Sequence, residues 1–214
     1  MQHEETSAAG DAIPLASTAP AVRKRPKPGE RRVQILQALA AMLEQPGAER
    51  VTTAALAARL EVSEAALYRH FASKAQMFEG LIDFIEQSVF SLVNQITERE
   101  APGREQAARI IAMLVQFAEK NPGMTRVMVG DALVHENERL QSRMNQFFDK
   151  IESTLRQALR GAAADEGSAT PTVDAQVRAS ALTAFLVGRL QRYARSGFRR
   201  APSEHLEASV ALML

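Results

Sequence analysis

The residues best equipped for chemistry fall in one stretch, 52–74: Thr-Thr-Ala-Ala-Leu-Ala-Ala-Arg-Leu-Glu-Val-Ser-Glu-Ala-Ala-Leu-Tyr-Arg-His-Phe-Ala-Ser-Lys. Tyr68, Arg69, His70 and Lys74 carry donors suited to phosphate oxygens, contacts that fix the register of a protein on a duplex without reading its sequence. Ala65 and Ala66 are small enough to let a backbone come close to base edges and to meet a thymine methyl group. Thr52, Ser63 and Ser73 have the side chains of helix N-caps. The amides opening the helix after Ser73, with Lys74 beside them, form a further anion site. Each has a plainer reading. Tyr68 could cap a core, His70 could be a packed, hydrogen-bonded histidine, and Glu64, which would repel phosphate, suits a helix N-terminus.

These side chains need two short helices to hold them. Leu56, Ala57 and Leu60 repeat at helical spacing after Thr52-Thr53. Val62-Ser63 interrupts, and Glu64 to Phe71 resumes with Leu67 and Phe71 pointing inward. That is the pattern of a helix-turn-helix whose second helix enters the major groove, with Glu64, Ala65, Tyr68 and Arg69 on its outer side. A helix from Glu30, with Ile35, Leu39 and Met42 on one face, precedes the pair and ends at Pro46-Gly47. A helix of roughly 26 residues follows Ser73 to about Arg99, its apolar stripe running from Met77 to Ile96 and including Leu92. Further helices are predicted at about 104–120, 124–132, 137–161, 174–196 and 203–213. No strand-like alternation of useful length occurs, so an all-α fold of about nine helices is expected.

The chain has 214 residues, 46% of them hydrophobic and 24% charged, as expected of a soluble protein of one or two domains. It has no cysteine, which removes disulfides, thiolate metal sites and cysteine nucleophiles. The four histidines, His3, His70, His135 and His205, lack ligand spacing. His135-Glu136 has no second histidine for a helical zinc site, and no glycine-rich phosphate loop or Gly-x-Ser-x-Gly occurs. No catalytic residue, metal or cofactor is expected. No apolar run is long enough to span a bilayer, and the acidic N-terminus does not resemble a signal peptide, which predicts a cytoplasmic protein.

The net charge of +1 hides an uneven distribution. Residues 1–21 have three acids and no Lys or Arg, residues 22–75 have ten Lys/Arg against five acids, and the remainder is nearly balanced. A cationic front suits a polyanion such as double-stranded DNA. Three segments are predicted: a tail with a basic arm over 1–29, a DNA-binding domain over 30–75, and a helical dimerisation or regulatory domain over 76–214.

The pattern Thr52-Thr-x-x-Leu-Ala followed by Val62-Ser-x-x-x-Leu-Tyr-x-His-Phe-x-x-Lys74 resembles the DNA-binding region of the TetR family. The resemblance implies three small DNA-reading helices and a larger helical domain that dimerises and usually binds a ligand. It implies DNA contacts from Thr53, Ser63, Ala65, Tyr68, His70 and Lys74. Arg31, Arg32, Thr52, Ala66 and Arg69 complete the expected DNA-facing set. Arg31-Arg-x-x-Ile-Leu-Gln, Leu81-Ile-x-Phe-Ile-Glu, Glu119-Lys-Asn-Pro-Gly-Met-Thr-Arg126 and Arg139-Leu-Gln-x-Arg-Met-Asn-Gln-x-Phe148 resemble one branch of that family, over roughly residues 31–200. The resemblance fails in the N-terminal tail and over 161–172. That branch binds specific chromosomal sites and, when bound, antagonises assembly of the tubulin-like division protein FtsZ, which implies a nucleoid-associated regulator of cell division. The alternative is a ligand-responsive transcriptional repressor of the same family.

Phe84, near the solvent boundary of its stripe, and the polar turn at Lys120 and Asn121 are candidates for a protein partner; equally, Phe84 could be core and Asn-Pro-Gly only a helix stop. The broad apolar stripe of the helix at 174–196 suggests a homodimer through Leu182, Phe185, Leu186, Arg189 and Tyr193.

Overall fold

The computed structural model describes residues 29–45 and 51–214. The basic arm at 22–28 and the predicted stop at Pro46-Gly47 lie outside the described residues. Nine α-helices are formed among the described residues, with no strand. They are α1 (Glu30–Leu43), α2 (Thr53–Arg59), α3 (Glu64–Tyr68), α4 (Lys74–Arg99), α5 (Arg104–Lys120), α6 (Pro122–Met128), α7 (Glu138–Asp165), α8 (Pro171–Arg195) and α9 (Leu206–Ala211). A 3-10 turn at Asp131–Leu133 links α6 to α7.

Caps set several boundaries. Thr52, Ser63 and Ser73 each accept a hydrogen bond from the backbone N–H three residues on, opening α2, α3 and α4. α7 runs past Gly161, where a stop was predicted, because Ala162, Ala163 and Ala164 favour helix strongly. It ends at Gly167, whose left-handed backbone (φ 76) lets its N–H reach the Ala164 carbonyl and the Ser168 N–H reach that of Ala163. Pro171 then opens α8 three residues earlier than predicted, since proline suits the first helical turn.

One apolar core runs from Ile35 and Leu39 of α1, through Met77, Phe78, Ile82 and Ile85 of α4, to Leu182 and Leu186 of α8 and Val210 of α9. α4 therefore belongs to both the small front bundle and the larger one. α6 clamps the two together at Gly123: a Cβ there would lie 2.1 Å from the Ala40 carbonyl oxygen of α1, so only glycine permits the approach. α7 (28 residues) and α8 (25 residues) pack against each other.

Two expectations change. Leu92, predicted for the core, is 38% exposed on the outer side of α4. Leu182 and Leu186 are fully buried and Tyr193 nearly so within a single protomer, where they pack into its own core. They therefore face the protomer's own core, and the side of α8 left open is the opposite one. That face carries exposed Val173, Val177, Ala181 and Ala184, half-buried Phe185, and Gly188, whose missing Cβ would meet nothing within 4 Å. Arg189, also named for the dimer, folds back: its guanidinium lies 4.5 Å from the Phe185 ring and donates to the Pro202 and Glu204 carbonyls at 2.9 and 2.5 Å.

Candidate nucleic-acid interface

Between α2 and α3 the chain turns on Glu61, which adopts a left-handed backbone (φ 54). The Glu61 N–H donates to Ala58 O at 3.1 Å and the Val62 N–H to Ala57 O at 3.0 Å, closing the end of α2. Leu56, Ala57, Leu67 and Phe71 are buried beneath the turn, as their spacing predicts. α3 is shorter than the predicted Glu64-to-Phe71 helix. After Tyr68 the chain tightens, with both His70 and Phe71 N–H groups donating to Leu67 O, at 2.9 and 3.1 Å.

With Leu67 inward, the outer face of α3 carries Ala65, Tyr68 and Arg69, all exposed, and half-buried Ala66. Tyr68 is 44% exposed, so its ring is not a core cap. Arg69 makes no ion pair or side-chain hydrogen bond among the described residues. It is the most available cation on this face.

The other candidates are held more tightly. The Thr53 hydroxyl donates to Glu64 Oε2 at 2.6 Å, tying the start of α2 to the start of α3. Glu64 thus braces the motif from within it. Thr52 and Ser63 use their hydroxyls as caps yet remain exposed. His70 is half-buried, and its carbonyl accepts from Arg32 at 2.5 Å, while the Arg32 guanidinium lies 4.1 Å from the centre of the Phe71 ring. Arg32 therefore fastens α1 to the end of α3. Arg31 donates to Gln34 of its own helix at 2.9 Å.

Lys74 is the instructive case. Its ammonium forms an ion pair with Glu136, just before α7, and lies 5.7 Å from the Phe78 ring. Along the same seam Arg139 pairs with Glu79, and Arg143 pairs with Asp83 and Glu86 at 2.6 Å each. The bond to Glu86, reinforced by Asp83, holds the Arg143 guanidinium well above its ordinary pKa. A ladder of charge pairs thus leads from a predicted phosphate contact into the larger bundle. Nothing in the spacing of the sequence announces Glu136 as the partner of Lys74, because 62 residues separate them.

Among the candidates for a protein partner, Phe84 is 48% exposed on α4 and Lys120 is exposed at the end of α5. Asn121 is half-buried and donates its side-chain amide to Phe117 O at 2.7 Å, closing α5. Phe84 lies 16 residues before Glu100 and Lys120 lies 17 after Gly103, on consecutive helices joined by a short turn.

Residues 35–81 match the model of the bacterial regulatory proteins of the tetR family, and residues 105–214 match a tetracyclin repressor-like C-terminal domain of SlmA type. The chain is 50% identical over 188 residues to the nucleoid occlusion factor SlmA of Vibrio vulnificus strain YJ016, covering 87% of this chain and 95% of that protein. It is 50% identical over 189 residues to the nucleoid occlusion factor SlmA of Aliivibrio fischeri strain MJ11, covering 88% and 96%. The chain belongs to the SlmA branch of the tetR family. Solved structures share the fold at low identity. The TetR-family regulator PfmR of Thermus thermophilus is 21% identical with a TM-score of 0.66, covering 86% of this chain and 95% of that one. The fatty acid degradation regulator FadR of Bacillus halodurans is 13% identical with a TM-score of 0.70, covering 88% and 97%. The SlmA-type match takes in α5 through α9, while the tetR match takes in α2, α3 and the turn between them.

Proposed function

We propose that the protein is a nucleoid occlusion factor: a homodimer that binds chromosomal DNA through α3 and, once bound, antagonises assembly of FtsZ and so keeps the septum off unsegregated DNA. The observation that carries the DNA half is the outer face of α3, where Ala65, Tyr68 and Arg69 are presented to solvent over a buried Leu67. Two copies related by a two-fold axis would place two such helices about 34–36 Å apart, one turn of duplex. Ala65 and Ala66 allow close approach to the groove floor. Tyr68, Arg69, Lys74 and the outer edge of His70 reach the flanking phosphates. The division half is supported by the identity to SlmA proteins along nearly the whole of their length. Phe84, Leu92 and Lys120 supply an exposed apolar and cationic surface on α4 and α5 for that partner.

The rival, a ligand-responsive repressor, needs a pocket inside the larger bundle. There, Ile110, Ile111 and Leu114 of α5 pack with Leu182 and Leu186 of α8, all fully buried. The apolar groove of about 690 Å³ between α5 and α9 is open to solvent along Leu206, Val210 and Leu214.

Genome-wide mapping of bound sites tests the proposal. Many sites spread over the chromosome and sparse near the terminus are expected. A single site beside the protein's own gene would favour the repressor.

A further inference from the structure

We propose that the arginine-rich surface at the end of α8 is a docking site for an acidic polypeptide segment, separate from the DNA interface. Arg189, Arg192 and Arg200 line a concavity of about 250 Å³ together with Ala201, Pro202, Glu204 and His205, three guanidinium groups against one carboxylate. Arg192, Arg195, Arg199 and Arg200 are all exposed and make no ion pair among the described residues. So many like charges repel one another unless an anion comes between them. Arginine's planar fork suits carboxylates, so a cluster of exposed, unpaired arginines suits a segment rich in Asp and Glu.

The loop that holds these arginines is built rigidly and under strain. Phe198 and His205 both adopt left-handed backbones, with φ 63 and 53, a conformation that is a genuine outlier for a residue as bulky as phenylalanine. Ser196 Oγ accepts from the Arg199 and Arg200 N–H groups at 3.1 and 2.9 Å, and Glu119 Oε1 accepts from the Ser203 N–H at 3.1 Å. Strain held in place by a surrounding network is common where a surface has a task. Beneath the loop, Arg126 is only 8% exposed, lies 5.1 Å from the Phe198 ring, and has a buried Nε without an acceptor among the described residues. A charge removed from water with no counter-ion costs stability, so a fold selected for stability alone would replace it with an apolar side chain.

The position separates this surface from the duplex. Arg32, in the first turn of α1, bonds to the His70 carbonyl. Tyr193, in the last turn of α8, donates to Glu119 O at 3.4 Å. Its phenol is pushed above the ordinary range by burial and then by the carboxylates of Glu119 and Glu44, the latter just past the end of α1. The end of α3 is thus tied to the first turn of α1, whereas the last turn of α8 faces the other end of that helix, about 20 Å along for 14 residues rising 1.5 Å each. The inference does not rest on which division protein the DNA-bound form recruits.

The test uses the full chain and a fluorescent acidic dodecapeptide of Asp and Glu, followed by anisotropy with and without saturating duplex. Arg199→Glu combined with Arg200→Glu, in the loop beyond the outward face of α8, should weaken peptide binding at least tenfold, leaving duplex affinity and its salt dependence unchanged. Unchanged peptide binding would mean a merely solvated stripe and overturn the proposal. Lost duplex affinity with a shallower salt dependence would make it a DNA surface and overturn it too.

Discussion

Lys74, in the first turn of α4, is ion-paired with Glu136, just before the first turn of α7, so a predicted phosphate contact is held by a carboxylate of the larger bundle. If Lys74 reaches phosphate as proposed, DNA and Glu136 compete for one ammonium group. The pair is partly shielded, its side chains 26% and 11% exposed, so it is worth at least the ~0.2–1 kcal/mol of a fully exposed pair, and Glu136→Gln should tighten binding to any duplex by roughly 1.5-fold or more at low salt. Anisotropy with two unrelated duplexes measures this, and equal affinity of variant and parent would show that Lys74 does not reach phosphate.

The clamp between α1 and α6 leaves no room for a side chain at Gly123. Gly123→Ala should cost about 1–3 kcal/mol through forced backbone shifts, read as a lower melting temperature. It should also weaken DNA binding, because α1 positions α3 through Arg32 and His70. An unchanged melting temperature would mean that α1 rides loosely on α6.

The face of α8 that points outward separates dimer formation from folding. Ala184→Arg should leave the protomer folded but shift it from dimer to monomer in sedimentation velocity. Leu186→Ala, in the protomer's own core, should instead cost about 2–5 kcal/mol of stability. A dimer unaffected by Ala184→Arg would place the two-fold interface elsewhere.

Glu166, at the end of α7, accepts from Arg104 and from Arg178, and these bonds, Arg104 first, hold its carboxyl below the ordinary value of 4.5. A carboxyl with a lowered folded-state pKa stabilises the fold above its unfolded value and loses that contribution as pH falls through the folded one. The melting temperature of the parent should therefore fall more steeply below about pH 4.5 than that of Glu166→Gln, with the difference shrinking in high salt. Parallel pH profiles would contradict the role of this pair of bonds.

Helix existence was readable because periodicity is dense: α1, α4 and α5 carry an apolar residue every three or four positions, and α2, α3 and α4 announce themselves by Thr52, Ser63 and Ser73. Ends were harder. Gly161 reads as a stop, yet one glycine costs a helix only about 1 kcal/mol, less than its alanine neighbours and buried Leu159 and Ala163 return. The two faces of α8 are not separable in the sequence, because a stripe covering most of a helix does not say which part meets its own protomer. For the site, the outward set on α3 followed from Leu67 and Phe71 alone. The roles of Glu64 and Glu136 did not, since an ion pair over 62 residues leaves no local trace. Arg31 and Arg32 looked alike in sequence, but only Arg32 stacks on Phe71 and ties α1 to α3.

The central claim is that the outward face of α3 meets phosphates. Affinity for a bound duplex, measured by anisotropy from ~50 to ~200 mM salt, should fall linearly on a double-logarithmic plot with a slope of about −0.9 per phosphate neutralised. Arg69→Ala should reduce the magnitude of that slope by about 1 for every duplex tried. A flat salt response, or an Arg69→Ala slope identical to that of the parent, would contradict the account.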